Sequence, residues 1–367
     1  MNEIQKPTLV VDEDKCRRNI RHMKAKADKD GTVLRPHFKT HQSAAIGQWF
    51  RDAGVSAITV SSFSMAQYFA RFGWNDIMIA FPFNPLEIET LNQLAPDTKL
   101  GILIADQEVI PSLLEGIRHH VDFYLKLEVG SFRAGFRIQD KPLIDEILKQ
   151  TASTKLLTFK GFVAHAGHTY QTTSLNEVHK IYREGSQHLV EMKNMYMEAY
   201  PDIIASWGDT PTCSMINEFE GIDEIRPGNF VFYDLMQYHL ASCDWDQIAL
   251  VVAAPVVARY KYRNEILLYA GAVHLSKDFI HAGDRSEVFG ELVKFTGQGW
   301  ERYTEPLFIS RLSQEHGIFK CPDELWENFK PGTLVGIVPV HSCLTVNLMK
   351  NFYELNSGRY LIDDQRQ

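Results

Sequence analysis

The sequence lacks several features that mark common classes of protein. No apolar run is long enough to span a bilayer and no signal-peptide pattern opens the chain, so we expect a cytoplasmic protein without a membrane anchor. Cysteine is scarce: the five residues are odd in number and widely spaced, which argues against a disulfide framework and for a reducing compartment. Basic residues do not dominate, since the net charge is −8, and this argues against nucleic acid as the main partner.

The length and composition are those of a globular protein with more than one domain. The chain has 367 residues, of which 45% are hydrophobic and 23% charged. This length predicts two domains, or one large domain with an appendage. The Gly-x-Gly-x-x-Gly fingerprint of dinucleotide-binding folds is missing after the first strand pattern, which counts against that fold.

Strand-like and helix-like patterns alternate from residue 33 to about residue 230. Strict alternation predicts a parallel sheet, and eight units fit an α/β (β/α)8 TIM barrel, with a doubly wound open sheet as the alternative. Amphipathic stretches between the strands include residues 42–53, 64–72, 106–119 and 174–199. The eight strand candidates begin near Val33, Ala57, Asp76, Lys99, Val121, Leu156, Ile203 and Asp223.

The pattern changes after about residue 245, where strand-like runs punctuated by Gly and Pro dominate and predict a β-rich domain. Thr8–Val11 is a further strand candidate that has no place among the eight, so we expect it to join the C-terminal sheet. The predicted domains are therefore a barrel of residues 13–240 and a β-rich domain of residues 1–12 and 241–367.

Four basic residues follow the first barrel strand at alternate positions: Arg35, His37, Lys39 and His41. If the segment is extended, their side chains share one face. Crowded cations lower the proton affinity of a lysine, and a neutral lysine amine is the nucleophile that a Schiff base requires. Lys39 is therefore a candidate for covalent chemistry, against the alternative of a solvated surface lysine.

Polar, glycine-containing segments follow the later barrel strands. Barrel enzymes form their active sites at the carboxyl ends of the strands and often bind phosphate after strands seven and eight. Gly208 and Thr210 follow the seventh strand, and Gly228 and Asn229 follow the eighth. Their N–H and hydroxyl groups predict a phosphate site, although Gly, Asp, Asn and Pro are also common in ordinary turns.

A histidine and a cysteine follow the last long strand pattern. His341 and Cys343 share a face if that segment is extended, so an imidazole and a thiolate can meet one ion. This ligand pair suits a borderline-soft metal such as zinc and leaves positions open for water or substrate. The alternative is a buried free cysteine beside a satisfied histidine.

Taken together, these motifs resemble the D-serine dehydratase and D-threonine aldolase family. Its members are fold-type III pyridoxal-phosphate (PLP) enzymes, whose barrel is shared with alanine racemase. The resemblance covers nearly the whole chain, and its most specific string is Arg35-Pro-His37-Phe-Lys39-Thr-His41. The other matching strings are Gly130-Ser-Phe-Arg133-Ala-Gly135, Gly167-His168-Thr-Tyr170, Gly208-Asp-Thr210-Pro, Arg226-Pro-Gly-Asn-Phe-Val-Phe-Tyr233 and Pro339-Val-His341-Ser-Cys343.

The resemblance implies a role for each candidate residue. Lys39 would carry PLP as a Schiff base, Arg133 would approach the cofactor ring or its phenolic oxygen, and Tyr170 would lie near the pyridine nitrogen. His37 and His165 would also bind the cofactor. Gly208, Thr210, Gly228 and Asn229 would hold the phosphate with Tyr233 nearby, and His341 and Cys343 would bind a divalent metal.

The same resemblance predicts the reaction. Dehydratase-like members resemble this chain in having His-x-Cys with zinc, whereas aldolase-like members tend to have His-x-Asp, which suits manganese. We therefore expect a D-serine dehydratase that forms a 2-oxo acid and ammonia, with D-threonine as a possible second substrate. We also expect a homodimer. The alternatives are a metal-dependent D-threonine or D-3-hydroxyamino-acid aldolase, an amino-acid racemase, and a non-catalytic PLP-binding protein.

One position departs from the family pattern. Asp209 replaces the second glycine that we expect before Thr210. A carboxylate beside a phosphate would repel it, so this aspartate must turn away if the loop is to bind phosphate.

Overall fold

The computed structural model describes residues 3–283, 286–297 and 299–361. They form two compact units, one of residues 21–39 and 46–230 and the other of the described residues within 1–20, 40–45 and 231–367. None of the helices in these three ranges combines the length and the apolar character that a membrane span requires.

The described chain opens with strand β1 (Thr8–Val11), which is buried along its whole length, and helix α1 (Glu13–Asp30). The Asp12 carboxylate accepts a hydrogen bond from the Lys15 N–H at 2.9 Å and so caps the start of α1. Acidic residues in the first turn of α1 and a lysine in its last turn complement the helix dipole.

Eight parallel strands form the sheet of the first unit. They are β2 (Val33–Leu34), β3 (Ile58–Val60), β4 (Asp76–Pro82), β5 (Lys99–Ile104), β6 (Val121–Lys126), β7 (Leu157–His165), β8 (Ile204–Gly208) and β9 (Glu224–Ile225). Strands β3 to β9 pair in chain order, β9 pairs with β2, and a bridge between His37 and Thr59 joins the two ends of the path. The predicted barrel and all eight of its strands are confirmed.

Helices follow most of these strands. They are α2 (Ala44–Asp52), α3 (Phe63–Arg71), α4 (Ile88–Leu94), α5 (Ile110–Gly116), α6 (Lys141–Thr151), α7 (Leu175–Tyr196) and α8 (Thr210–Met215). Serine side chains start two of them: Ser62 accepts from the N–H of Met65 in α3, and Ser174 accepts from the N–H of Glu177 in α7. Helices α2, α3 and α7 each bury a set of apolar residues, as the amphipathic stretches predicted.

The second unit contains a large, mostly antiparallel sheet in which β1 lies between two later strands. Leu9 of β1 pairs with Val252 in an antiparallel ladder and with Phe352 in a parallel one, so the expectation for Thr8–Val11 is confirmed. The remaining elements of this unit are α9 (Leu235–His239), β10 (Leu250–Tyr260), β11 (Glu265–Tyr269), α10 (Ala272–Leu275), β12 (Ile280–Ala282), β13 (Ser286–Val288), β14 (Gly290–Thr296), β15 (Gly299–Arg302), β16 (Ile309–Leu312), β17 (His316–Lys320), β18 (Leu334–Pro339), α11 (Ser342–Met349), β19 (Phe352–Glu354) and β20 (Arg359–Leu361).

Candidate cofactor site and metal centre

The carboxyl ends of five barrel strands carry most of the predicted cofactor-binding residues. Since the strands are parallel, these ends meet at the same edge of the barrel, where active sites of this architecture form. His37 and Lys39 follow β2, Arg133 follows β6, His165 ends β7, Tyr170 lies in the turn after β7, Gly208 ends β8, Thr210 begins α8, and Gly228 and Asn229 follow β9.

The segment around Lys39 is not extended, so the predicted array of four basic residues on one strand face is wrong. Strand β2 ends at Leu34, and residues 38–41 form a turn. Arg35 is buried, and its guanidinium donates to Asp76 at 2.6 Å and to Glu224 at 2.5 Å. His41 is also buried, and its Nδ1 accepts from a main-chain N–H. Arg35 is therefore held in a buried ion pair instead of adding to the charge around Lys39.

The residues before Lys39 are rigidly supported. Phe38 is fully buried, and its ring centroid lies 5.0 Å from Phe50, 4.9 Å from Phe69 and 5.0 Å from Trp74. Such aromatic pairs stabilise a fold by about 0.5–1.5 kcal/mol each beyond their burial. Lys39 itself is exposed at the turn. Its amine is thus carried by a fixed main chain, as a covalent attachment point for a cofactor requires.

Two histidines at this end of the barrel are kept neutral. Burial, helped by the charge of Lys39, lowers the pKa of His37 well below its usual range. Burial, Lys39 and then Arg133 do the same to the pKa of His165. The imidazoles therefore remain uncharged at pH 7, and the arginine and lysine cations around them give the region a positive potential that suits an anionic ligand.

The predicted phosphate-binding groups lie against one another. The Thr210 hydroxyl accepts hydrogen bonds from the main-chain N–H of Gly228 at 3.3 Å and of Asn229 at 3.1 Å. The N–H of Thr210 donates to the Tyr170 hydroxyl at 3.3 Å. Main-chain N–H groups and hydroxyls from three successive strand ends, those of β7, β8 and β9, therefore converge, and groups of this kind can bind a phosphate.

Asp209 turns away from these groups, which removes the objection raised by its charge. Its buried carboxylate accepts from the Thr212 N–H at 2.7 Å, from Trp207 Nε1 at 2.9 Å and from the Thr169 hydroxyl at 3.1 Å. It is the N-cap of α8 and links that helix to the turn after β7. Burial raises the pKa of Asp209 to about 6, although these hydrogen bonds act in the opposite direction.

Sequence reasoning gave no role to two buried cations, Lys126 and Arg226. Arg226 donates from Nε to the Ser206 hydroxyl at 2.7 Å and from Nη2 to the Ala164 carbonyl at 2.6 Å. Burial lowers the pKa of Arg226 to about 10, and burial together with Arg226 lowers the pKa of Lys126 to about 7. A lysine inside the apolar run of β6 was the signal in the sequence that could have identified Lys126.

Gly208 leaves room for this arginine. A Cβ atom at Gly208 would lie 3.1 Å from Nη1 of Arg226, tighter than ordinary packing allows. Any other side chain at the glycine predicted for phosphate binding would therefore crowd the guanidinium beside it. Tyr233, the remaining predicted cofactor residue, belongs to the second unit, where it is 3% exposed and has a φ of 49°.

The second unit brings His341 and Cys343 together at the start of α11. Nδ1 of His341 lies 2.8 Å from the Asp278 carboxylate, and Sγ of Cys343 lies 3.3 Å from the Thr40 hydroxyl. Burial lowers the pKa of His341, but the hydrogen bonds to Asp278 and Cys343 outweigh it and raise that pKa to about 11. Cys343 is a free, half-buried thiol.

An imidazole and a thiol this close fit a borderline-soft metal such as zinc. In the part of the chain that the structure describes, no group of three or more His, Cys, Asp or Glu residues could hold a metal ion. Two protein ligands would leave coordination positions open for water or substrate.

Two family models match the chain. The model described as "Alanine racemase, N-terminal domain" matches residues 11–235, and the one described as "Putative serine dehydratase domain" matches residues 249–355. The first covers the barrel and the second contains the His-x-Cys motif.

Curated relatives and solved structures agree with both matches. A D-serine dehydratase of Dictyostelium discoideum is 27% identical over 99% of this chain and 96% of its own length. A 3-hydroxy-D-aspartate aldolase of Paracoccus denitrificans (strain Pd 1222) is 31% identical over 98% and 90%. The structure of D-threo-3-hydroxyaspartate dehydratase from Delftia sp. HT23 is similar with a TM-score of 0.88 and 25% identity, over 98% and 96% of the two chains.

The Delftia enzyme has also been solved with a cysteine replaced by alanine, in a metal-free form, and with a histidine replaced by alanine. A family model that spans more than half of this chain and a relative that is 31% identical over nearly all of it establish the relationship. The chain belongs to the D-serine dehydratase and D-threonine aldolase family of PLP-dependent lyases, whose N-terminal barrel is of the alanine racemase type.

Proposed function

We propose that this protein is a PLP- and zinc-dependent D-serine dehydratase, which converts D-serine, and D-threonine as a second substrate, to a 2-oxo acid and ammonia. The pair of His341 and Cys343 carries the proposal, because a nitrogen and a sulfur ligand suit zinc better than manganese. The similarity to a D-serine dehydratase over 99% of the chain supports the choice of substrate.

Bound PLP would supply the electron sink for loss of the substrate Cα proton, and bound zinc would supply Lewis acidity at the β-hydroxyl. Lys39 would attach the cofactor and then take the Cα proton with its amine. Arg133 would donate to the phenolic oxygen of the cofactor, and Tyr170 would lie near its pyridine nitrogen. Because His37 and His165 are neutral, they would donate or accept hydrogen bonds without repelling Lys39.

Thr210, Gly228 and Asn229 would hold the phosphate, and their convergence at one end of the barrel supports this role. Gly208 and Tyr233 are proposed to complete that site. We also propose that residues 13–240 form the cofactor-binding domain and that residues 1–12 with 241–367 carry the metal motif. The family matches to residues 11–235 and 249–355 support this division.

A 3-hydroxyamino-acid aldolase is the second candidate function. The observation in its favour is the 31% identity to a 3-hydroxy-D-aspartate aldolase over 98% of the chain. An aldolase would break the Cα–Cβ bond after the β-hydroxyl loses its proton, and would release glycine and an aldehyde. The metal would then act on the alkoxide, for which manganese is the alternative ion.

A product assay separates the two candidates. Purified protein with PLP and zinc is offered D-serine, D-threonine and D-threo-3-hydroxyaspartate, and 2-oxo acid with ammonia is measured against glycine with aldehyde. We expect pyruvate from D-serine; glycine with an aldehyde from the larger substrates, without oxo acid, would replace the dehydratase with the aldolase. Chelation of the metal should stop product formation but leave the PLP absorption band in place.

Lys39→Ala should abolish turnover, with Lys330→Ala as the matched control. Lys330 is an exposed lysine that pairs with Glu327 in the second unit, so its removal should leave the rate unchanged. Full activity of Lys39→Ala would contradict the proposed role of this amine.

We further propose a cytoplasmic homodimer. All five cysteines are free thiols, which supports a reducing compartment. Phe81 near the end of β4, Leu86 after β4 and Phe132 after β6 are 61%, 91% and 91% exposed, and large exposed apolar residues at one end of the barrel support an interaction surface. Light scattering should give twice the chain mass of 42.0 kDa, and Phe132→Ser combined with Leu86→Ser should shift it toward the monomer; a monomeric parent protein would contradict the dimer.

A further inference from the structure

We propose that Asp278 is a positioning residue that orients His341 toward the metal; the inference rests on the metal site of the proposed function. Asp278 lies 63 positions before His341 in the sequence, and its Oδ2 is 2.8 Å from Nδ1 of the imidazole. This contact engages Nδ1, so a metal shared with Cys343 would bind the ring through Nε2.

The contact matters because an imidazole has two nitrogens, and a hydrogen bond to one of them decides which is left to bind a metal. A carboxylate only accepts hydrogen bonds, so Asp278 keeps a proton on Nδ1 of His341. A metal would therefore displace the proton of Nε2 and bind the lone pair of that nitrogen. The same hydrogen bond fixes the rotation of the ring and raises its basicity, and metal-binding histidines depend on such partners.

The main chain around Asp278 is shaped to hold the carboxylate in place. Ser276 has a φ of 68°, in the left-handed region that non-glycine residues rarely adopt, and its hydroxyl accepts the N–H of Asp278 at 3.1 Å. The Thr345 hydroxyl in α11 donates to the Leu275 carbonyl at 3.3 Å. The turn that carries Asp278 is therefore fastened to the helix whose N-terminal end carries His341 and Cys343.

Ser342 and Cys343, the two residues after His341, have partners of a different kind. The Asp234 carboxylate accepts from the Ser342 N–H at 2.9 Å and from its hydroxyl at 3.1 Å, so it fixes the main chain. The Thr40 hydroxyl contacts the thiol of Cys343. Asp278, unlike Asp234, contacts a side chain that would itself bind the metal. Replacing Asp278 should therefore change the metal affinity more than the free energy of unfolding. Its side chain is 41% exposed, which limits its share of fold stability.

The test measures zinc affinity in the PLP-loaded enzyme after the metal has been removed, by competition with a chromophoric chelator. Asp278→Asn keeps the size of the side chain but offers an amide that can donate to Nδ1 and favour the wrong tautomer. We expect its zinc dissociation constant to rise by roughly 10- to 100-fold, and Asp278→Glu to recover part of the loss. Asp323→Asn is the matched control, since Asp323 is an exposed carboxylate of the same unit that pairs with Lys261; its affinity should be unchanged.

Two further measurements separate positioning from a structural effect. Metal-free, PLP-loaded Asp278→Asn should keep the circular-dichroism spectrum of the parent chain, although its Tm should fall because it loses the hydrogen bond to His341. In a His341→Ala background, Asp278→Asn should cause no further loss of zinc affinity, because the two residues act through one ligand.

Parental zinc affinity in Asp278→Asn, or an equal further loss of affinity when Asp278→Asn is added to His341→Ala, would overturn the role of Asp278 but leave the metal site of the proposed function in place. If His341→Ala leaves the zinc affinity of the otherwise unaltered chain intact, the metal site of the proposed function fails and this inference falls with it. The two failures are thus told apart by the His341 variant.

Discussion

Replacing Asp209 with asparagine should change how the free energy of unfolding depends on pH. Burial raises the pKa of Asp209 to about 6 in the folded protein, whereas an aspartate in an unfolded chain titrates near 3.9. The folded state therefore binds this proton more tightly than the unfolded state does. The stability that protonated Asp209 contributes is fully present below about pH 4 and is lost as the pH rises through about 6.

The size of the effect follows from the two pKa values. They differ by about 2, and each pKa unit corresponds to 1.36 kcal/mol, so ionisation of Asp209 lowers the free energy of unfolding by about 3 kcal/mol at pH 7. Asparagine has no such charge, but its NH₂ group would face the indole N–H of Trp207, at a pH-independent cost of about 1–3 kcal/mol. The free energy of unfolding of the variant should therefore be lower than that of the parent chain near pH 4. Between pH 4 and pH 7 the difference should shift in favour of the variant by about 3 kcal/mol.

Urea denaturation at several values between pH 4 and pH 7 measures this difference. Asp323→Asn makes the same change of charge at an exposed position, and its unfolding free energy should run parallel to that of the parent chain. A difference between Asp209→Asn and the parent that stays constant from pH 4 to pH 7 would refute the reasoning, because it would mean that Asp209 titrates alike in the folded and unfolded states.

Three other substitutions test contacts inside the barrel. Glu224→Gln removes a carboxylate from buried Arg35 and should lower the free energy of unfolding by about 3–5 kcal/mol in urea; a parental midpoint would contradict the buried ion pair. Thr210→Val removes the hydroxyl that two main-chain N–H groups share, and should weaken PLP binding about tenfold in a fluorescence titration, whereas unchanged affinity would count against the phosphate site. Gly185→Ala should lower the Tm, at a cost of about 1–3 kcal/mol, because its Cβ would lie 2.7 Å from the Trp207 ring; a higher Tm, the usual result of this change inside a helix, would show that the ring moves aside.

The sequence made the strands of the barrel easy to find. Parallel strands that are covered on both faces read as short apolar runs, and glycine or polar residues mark where each run stops. The predicted starts at Leu156 and Ile203 therefore lie within one residue of the observed strands β7 and β8. Strand β1 could be assigned to the other sheet for a related reason, since a barrel of eight leaves no ninth position.

The prediction for residues 35–41 failed because it assumed an extended backbone. Alternation of side chains holds only while the chain stays in a strand, and β2 ends after two residues. What turns Arg35 inward is a pair of carboxylates, Asp76 and Glu224, that lie 41 and 189 positions away in the sequence. A sequence shows that a cation is present, but the counter-charge that decides where it points is brought in by the tertiary fold.

The metal motif likewise depends on contacts that the sequence does not show. His341 and Cys343 are two positions apart, so their common ligand chemistry is visible in a three-residue string. The groups that would tune them lie far along the chain: Asp278 is 63 positions from His341, and Thr40 is 303 positions from Cys343. A ligand pair therefore indicates which class of metal fits, whereas affinity and ring orientation depend on partners that only the folded chain assembles.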